Sequence, residues 1–95
     1  MVYEMRFQTV APERRTEYVQ IYKNAVQGCK TAGSTGGTIL CSDDDPSAVI
    51  VILKWESKEH LERWRSMDSY KSFRAAVEGL QTKKSHGGFY VAETI

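Results

Sequence analysis

The chain has little of what staples, ligates or spans. Its 95 residues include two cysteines, Cys29 and Cys41, too few for a disulfide framework. Both are expected as reduced thiols in a cytoplasmic protein. The two histidines, His60 and His86, stand far apart, and no Cys-x-x-Cys occurs. A zinc site needs three or four clustered nitrogen, sulfur or oxygen ligands, so no metal is expected. Neither sign of charge dominates. Thirteen Lys+Arg against twelve Asp+Glu leave +1, which gives no electrostatic reason to expect nucleic acid or an anionic membrane as partner. The longest apolar run, Ala48 to Leu53, is too short to cross a bilayer. Met1-Val2-Tyr3-Glu4-Met5-Arg6 carries an early acid and no apolar stretch, which argues against a signal peptide. Gly33, Gly36-Gly37 and Gly87-Gly88 lack the spacing of a dinucleotide or phosphate loop, and no Gly-x-Ser-x-Gly elbow occurs. Asp43-Asp44-Asp45 adjoins Pro46 and lacks the other ligands of a calcium loop, so it reads as a solvated turn. With 41% hydrophobic and 26% charged residues, what remains is one soluble domain over residues 1–95.

What is present is periodicity. In residues 2–10, Tyr3, Met5 and Phe7 alternate with Glu4, Arg6 and Gln8. A period of two predicts a strand with one buried face, and leaves open which face meets the helices. Pro12 ends it. Residues 13–32 predict a helix: Tyr18, Tyr22, Val26 and Cys29 are spaced 4, 4 and 3, one stripe that Ile21 and Ala25 widen. Gly33 is its expected stop. Residues 38–42 and 48–55 predict two strands around the Asp-Pro turn, an antiparallel hairpin. Ser57 is a predicted N-cap. Leu61 and Trp64 start a helix, and Tyr70, Phe73, Val77 and Leu80 continue in a second phase. Ser66-Met67-Asp68 therefore predicts a kink or two abutting helices. Residues 88–94, aromatic and β-branched, predict a last strand.

The order β-α-β-β-α-β is the split βαβ, or ferredoxin-like, arrangement of the α+β class: a four-stranded antiparallel sheet with helices on one face. Ala48 to Leu53 is apolar at every position, so both faces of that strand call for burial. Helices cover only one face, and 95 residues leave nothing for the other. A second copy of the chain, sheet packed on sheet, is the expected remedy, giving a homodimer. The alternative is a modest exposed patch, which monomers rarely carry.

The most informative stretch runs from Trp55 to Val77, WESKEHLERWRSMDSYKSFRAAV. A strand ends in Trp55-Glu56-Ser57, a helix carries Leu61-Glu62, a break falls at Ser66-Met67-Asp68, and an aromatic-centred helix holds Tyr70-Lys71-Ser72-Phe73. In these features the chain resembles the antibiotic biosynthesis monooxygenase (ABM) family. The resemblance implies a dimeric α+β barrel with a pocket in each subunit, between sheet and helices. It implies a monooxygenase that needs no cofactor and acts with dioxygen on a phenolic, quinol or polyketide-like small aromatic substrate. Because many relatives lack a known activity, a non-catalytic module that binds a small hydrophobic ligand, or a structural dimer, is the alternative.

Residue by residue, the quinone-forming relatives use a Trp and, six residues later, a Tyr facing the pocket. Trp64 and Tyr70 have that spacing. Aromatic walls stack the substrate rings, and an O–H or indole N–H binds the developing anion. Where that pattern has an Asn four residues before the Trp, this chain has His60, a donor or, when neutral, a base. The implied catalytic residues are thus Trp64, Tyr70 and His60. Haem-degrading relatives use an Asn on the first strand and a His ten residues after the Trp. Here Tyr3 to Gln8 has no Asn, and Arg74 stands at the later position. Without the His there is no proximal iron ligand, so haem degradation is disfavoured. The substrate-contacting candidates are Phe73, Arg74 and Tyr3. Arg74 either clamps an anionic substrate or lies on the solvated face, and Tyr3 contributes if its side of the first strand is the pocket floor. His86 falls in a loop outside the expected site. Cys29 and Cys41 are expected as buried thiols that pack as small hydrophobes.

Overall fold

A computed structural model describes residues 1–95. The alternating segment forms strand β1, Val2–Thr9, and Pro12 stops it with a short 3-10 turn over Pro12–Arg14. Helix α1, Arg15–Ala32, buries Tyr18, Tyr22, Cys29 and Ala32 along the predicted stripe. It ends at Gly33, whose φ of 116° lets its N–H turn back to the carbonyls of Cys29 and Lys30. Strands β2, Ser34–Cys41, and β3, Ala48–Trp55, make the hairpin. In its turn the Asp45 carboxylate accepts from the Ser47 N–H, and Arg15 donates to the Ser42 and Asp45 carbonyls. β2 begins earlier than expected. The Ser34 hydroxyl bonds the Lys54 carbonyl and the Gly36 N–H, and the register shifts between Ser34 and Gly36. That bulge carries the pairing through a glycine-rich segment that reads locally as loop.

Ser57 takes the N-cap position of α2, Lys58–Arg65, in extended backbone, but its hydroxyl bonds the His60 Nδ1 at 2.7 Å and not a helix N–H. The break is a junction of two helices. Ser66 closes α2, and Met67, with φ −85° and ψ 151°, leads into α3, Asp68–Glu78. Strand β4 is His86–Tyr90, displaced toward the N-terminus from the expected 88–94 because its pairing with β1 runs from Phe7↔His86 to Tyr3↔Tyr90. The sheet order is β2-β3-β1-β4, every pair antiparallel. This is the ferredoxin-like α+β fold. No helix is long and apolar enough to cross a membrane.

The phase of β1 is the consequential finding. The helices pack over Val49, Val51, Leu53 and Trp55 of β3, all buried; each Val or Leu buried in this way contributes about 1.5–3 kcal/mol. In register with Leu53, Val51 and Val49 stand Glu4, Arg6 and Gln8 of β1. The polar side of β1 therefore lies under the helices, with Glu4 6% and Gln8 5% exposed. Tyr3, Met5 and Phe7 pair with Lys54, Ile52 and Ile50 on the opposite face, which no helix covers. This corrects Tyr3 as a pocket-floor residue. β3 is apolar on both faces, so it cannot choose between them. The helix stripes choose, and the register carries the choice to β1.

Candidate active site

α3 packs against α1, and α2 against α1 and β3. Neither helix settles onto β1 and β4, so a gap remains above the polar side of β1. It forms a cavity of about 170 Å³ lined by Glu4, Arg6, Gln8, Tyr22, Leu61, Trp64, Arg65, Tyr70, Phe73, Arg74 and Ser85. The wall is an aromatic cluster. Trp64 meets Tyr70 edge-on at 4.8 Å between ring centroids, and Tyr22 meets Phe73 edge-on at 4.6 Å. Trp64 also lies 5.7 Å from Phe73 and 6.1 Å from Trp55. Its indole N–H is buried with no acceptor, close to Gly28 of α1, where a methyl group would stand 3.2 Å from Nε1.

The floor is polar and ordered. Glu4 accepts from the Trp55 indole N–H at 3.2 Å and faces the Arg65 guanidinium at 3.9 Å. Burial raises its pKa above the usual carboxylate value, against the lowering effects of Trp55, Arg65 and Arg6. Arg6 donates to the Ser85 hydroxyl at 2.9 Å, and Gln81 donates to Gln8 at 2.6 Å. Burial likewise holds the Tyr22 hydroxyl well above its ordinary pKa, so it stays a neutral phenol.

Of the residues singled out in the sequence, Trp64, Tyr70, Phe73 and Arg74 meet at this cavity, and Arg74 is half-buried there. His60 and Tyr3 do not join them. The His60 ring lies against Gly33 at the end of α1, its Nδ1 on Ser57 and its Nε2 3.9 Å from Glu56. One turn before Trp64, it points along the helix bundle toward the α1 terminus and does not line the cavity. His86 pairs across from Phe7 on the uncovered face, their rings stacked at 5.2 Å. Cys29 is buried as expected, but Cys41 is exposed.

The residues missed by the sequence reading are Glu4, Arg6, Gln8, Tyr22, Arg65 and Ser85. One signal for the first three was available. A ferredoxin-like order makes β1 a central strand, and a period-two polar set on a central strand demands partners on whichever face it takes.

The molecule is thus an α+β sandwich with a polar-floored aromatic cavity under its helices. The model of the antibiotic biosynthesis monooxygenase family matches residues 1–76, and the chain belongs to that family. Solved structures agree on the fold. A Bordetella bronchiseptica protein described under the same family name superposes with a TM-score of 0.88 at 16% identity, over 98% of this chain and 97% of that one. A Nitrosomonas europaea protein so described gives 0.82 at 17%, over 97% and 98%. SnoaB, a cofactor-independent oxygenase from Streptomyces nogalater, gives 0.79 at 19%, over 99% and 93%. No curated protein matches the chain in sequence.

Proposed function

We propose that the protein is a small monooxygenase that uses dioxygen without a cofactor on a phenolic or quinol substrate bound in the cavity. The observation that carries this reading is the pairing of an aromatic wall, Trp64, Tyr70 and Phe73, with a buried carboxyl group, Glu4, in one cavity. A passive binder of hydrophobic ligands would need no such floor, since burying a carboxyl group has a cost that only function or strong pairing offsets. SnoaB, of the same fold, is described as a cofactor-independent oxygenase.

The rings of Trp64 and Phe73 stack the substrate. Glu4 takes the phenolic proton, and its raised pKa brings it nearer to operating pH, where a general base is most effective. Tyr70 donates to the oxygen on which negative charge develops, with Arg65 close to the same end of the cavity. The electron-rich phenolate carbon then bonds to dioxygen. Protonation of the distal oxygen and loss of the ring hydrogen break the O–O bond. One oxygen remains as a carbonyl and the other leaves as water. The substrate supplies all four electrons: a phenol plus dioxygen gives a quinone plus water.

The test is oxygen uptake by the purified protein against hydroquinones and phenols in the presence of a chelator. Uptake above autoxidation that falls about 10²–10⁴-fold in Glu4→Gln, and also falls in Tyr70→Phe, supports the assignment. Unchanged uptake in both variants removes it.

The same reading includes a homodimer through the uncovered sheet face. Met5, Phe7, Leu40, Ile50 and Ile52 share that face, and Leu40 is 46% exposed. Two copies packed sheet to sheet would cover it. The unpaired Cys29 and Cys41 accord with a cytoplasmic setting.

A further inference from the structure

Cavity-lining charge is lopsided. Three guanidiniums, of Arg6, Arg65 and Arg74, line the space, against the single carboxyl of Glu4. Arg65 is spoken for, lying 3.9 Å from Glu4 and 3.2 Å from Glu62. Arg6 and Arg74 have no carboxylate partner anywhere in the chain: Arg6 bonds only the neutral Ser85 hydroxyl, and Arg74 makes no side-chain hydrogen bond or ion pair. Both are half-buried. Exposed Arg63 also lacks an ion pair, but it faces solvent, whereas Arg6 and Arg74 face one cavity. Two partly desolvated guanidiniums facing one cavity form a site for an anion.

We infer that the substrate is a single-ring hydroxyaromatic carboxylate, its carboxylate on Arg6 and Arg74 and its phenolic oxygen at Glu4. The inference rests on the cavity being the substrate site and names the substrate class. Size supports one ring: a cavity of roughly 150 Å³ holds benzene, and this one measures about 170 Å³. Spacing supports the orientation. Glu4 and Arg6 are alternate residues of β1, about 7 Å apart along the strand at ~3.4 Å per residue, the length of a ring with substituents at opposite ends. Glu4 lies at the Trp55 and Arg65 end. Arg6 lies at the Ser85 end, and Arg74 lines the same cavity. The ring between them meets Trp64, Tyr70 and Phe73.

The probes are 4-hydroxybenzoate and 4-hydroxybenzamide, nearly identical in shape and differing in charge, titrated calorimetrically into the full chain. The carboxylate is expected to bind at least about tenfold more tightly, as charge-assisted hydrogen bonds to arginine require. Arg74→Gln should bring the two affinities together, and Arg74→Lys should keep part of the preference. Arg6→Gln should act like Arg74→Gln, and the ratio of the two probes is insensitive to a general loosening of the fold. Equal binding of the two probes by the wild type, a preference that survives both glutamine variants, or binding of neither probe would each overturn the inference. Oxygen uptake separates it from the oxygenase reading. Turnover of neutral hydroquinones without any charge preference leaves the oxygenase standing and removes the anion site. Arginine-dependent binding of 4-hydroxybenzoate, with no oxygen uptake on any hydroxylated aromatic acid, does the reverse.

Discussion

Gly33 tests whether His60 is a structural or a catalytic residue. It has φ +116°, and a methyl group on it would stand 2.1 Å from the His60 Cδ2. Gly36 has φ +111° and open space around it. Gly36→Ala thus meets one penalty and Gly33→Ala meets two. Left-handed backbone costs a non-glycine residue about 1–2 kcal/mol. Overpacking against a ring held by Ser57 adds about 1–3 kcal/mol. The expected losses are about 1–2 kcal/mol for Gly36→Ala and about 2–5 kcal/mol for Gly33→Ala. At about 4–8 °C per kcal/mol for a domain of this size, the second lowers the melting temperature by roughly 8–40 °C. Thermal and urea melts at one fixed protein concentration measure both. His60→Ala empties the contested space. In that background Gly33→Ala should cost no more than Gly36→Ala, a coupling of about 1–3 kcal/mol. Oxygen uptake should persist in His60→Ala, since the ring lies outside the cavity. Equal costs of Gly33→Ala with and without the ring would refute the packing argument, and loss of uptake in His60→Ala would restore it as the base.

Three further expectations concern Glu4, the thiols and the sheet face. Burial raises the Glu4 pKa, so the native state holds that proton more tightly than the unfolded chain. Its stabilising share is full below the ordinary glutamate value and is lost as pH rises through the folded value. The urea midpoint of Glu4→Gln relative to wild type should therefore climb as pH is raised from about 4 toward neutrality; a relative fall would mean that the pairing with Arg65 outweighs burial. Burial pushes the Cys29 thiol up to about 12, while Cys41 is exposed. Ellman's reagent should titrate one thiol in the native protein and two in urea, the fast one disappearing in Cys41→Ser. Ile52→Glu, on the uncovered face opposite Met5, should shift the sedimenting species from twice the chain mass to the chain mass.

Much of the fold was legible because it rests on local periodicity. The Tyr18-Tyr22-Cys29 stripe, the Gly33 stop, the Asp-Pro turn and the Ser66–Asp68 break are decided within a few residues. The two boundaries that moved, at β2 and β4, are set by pairing with a distant strand, as in Ser34 on Lys54 and Tyr90 on Tyr3. At the site, Trp64, Tyr70, Phe73 and Arg74 share a helix pair, and it is the resemblance of that segment to the antibiotic biosynthesis monooxygenase family that singles them out.

The cavity floor lay beyond that reach. Alternation in β1 showed two faces, one apolar and one polar, and the natural assumption buries the apolar one. Only the tertiary structure decided otherwise. Helix packing claimed one side of an all-apolar β3, and the antiparallel register then delivered Glu4, Arg6 and Gln8 beneath the helices. By the same step it turned Tyr3, Met5 and Phe7 to the side that no helix covers. The sequence by itself determined the elements and their order, because those depend on neighbours three or four residues away. Which face of the sheet is the floor depends on contacts between segments some fifty residues apart, such as the bond from Trp55 to Glu4, and no local pattern encodes that.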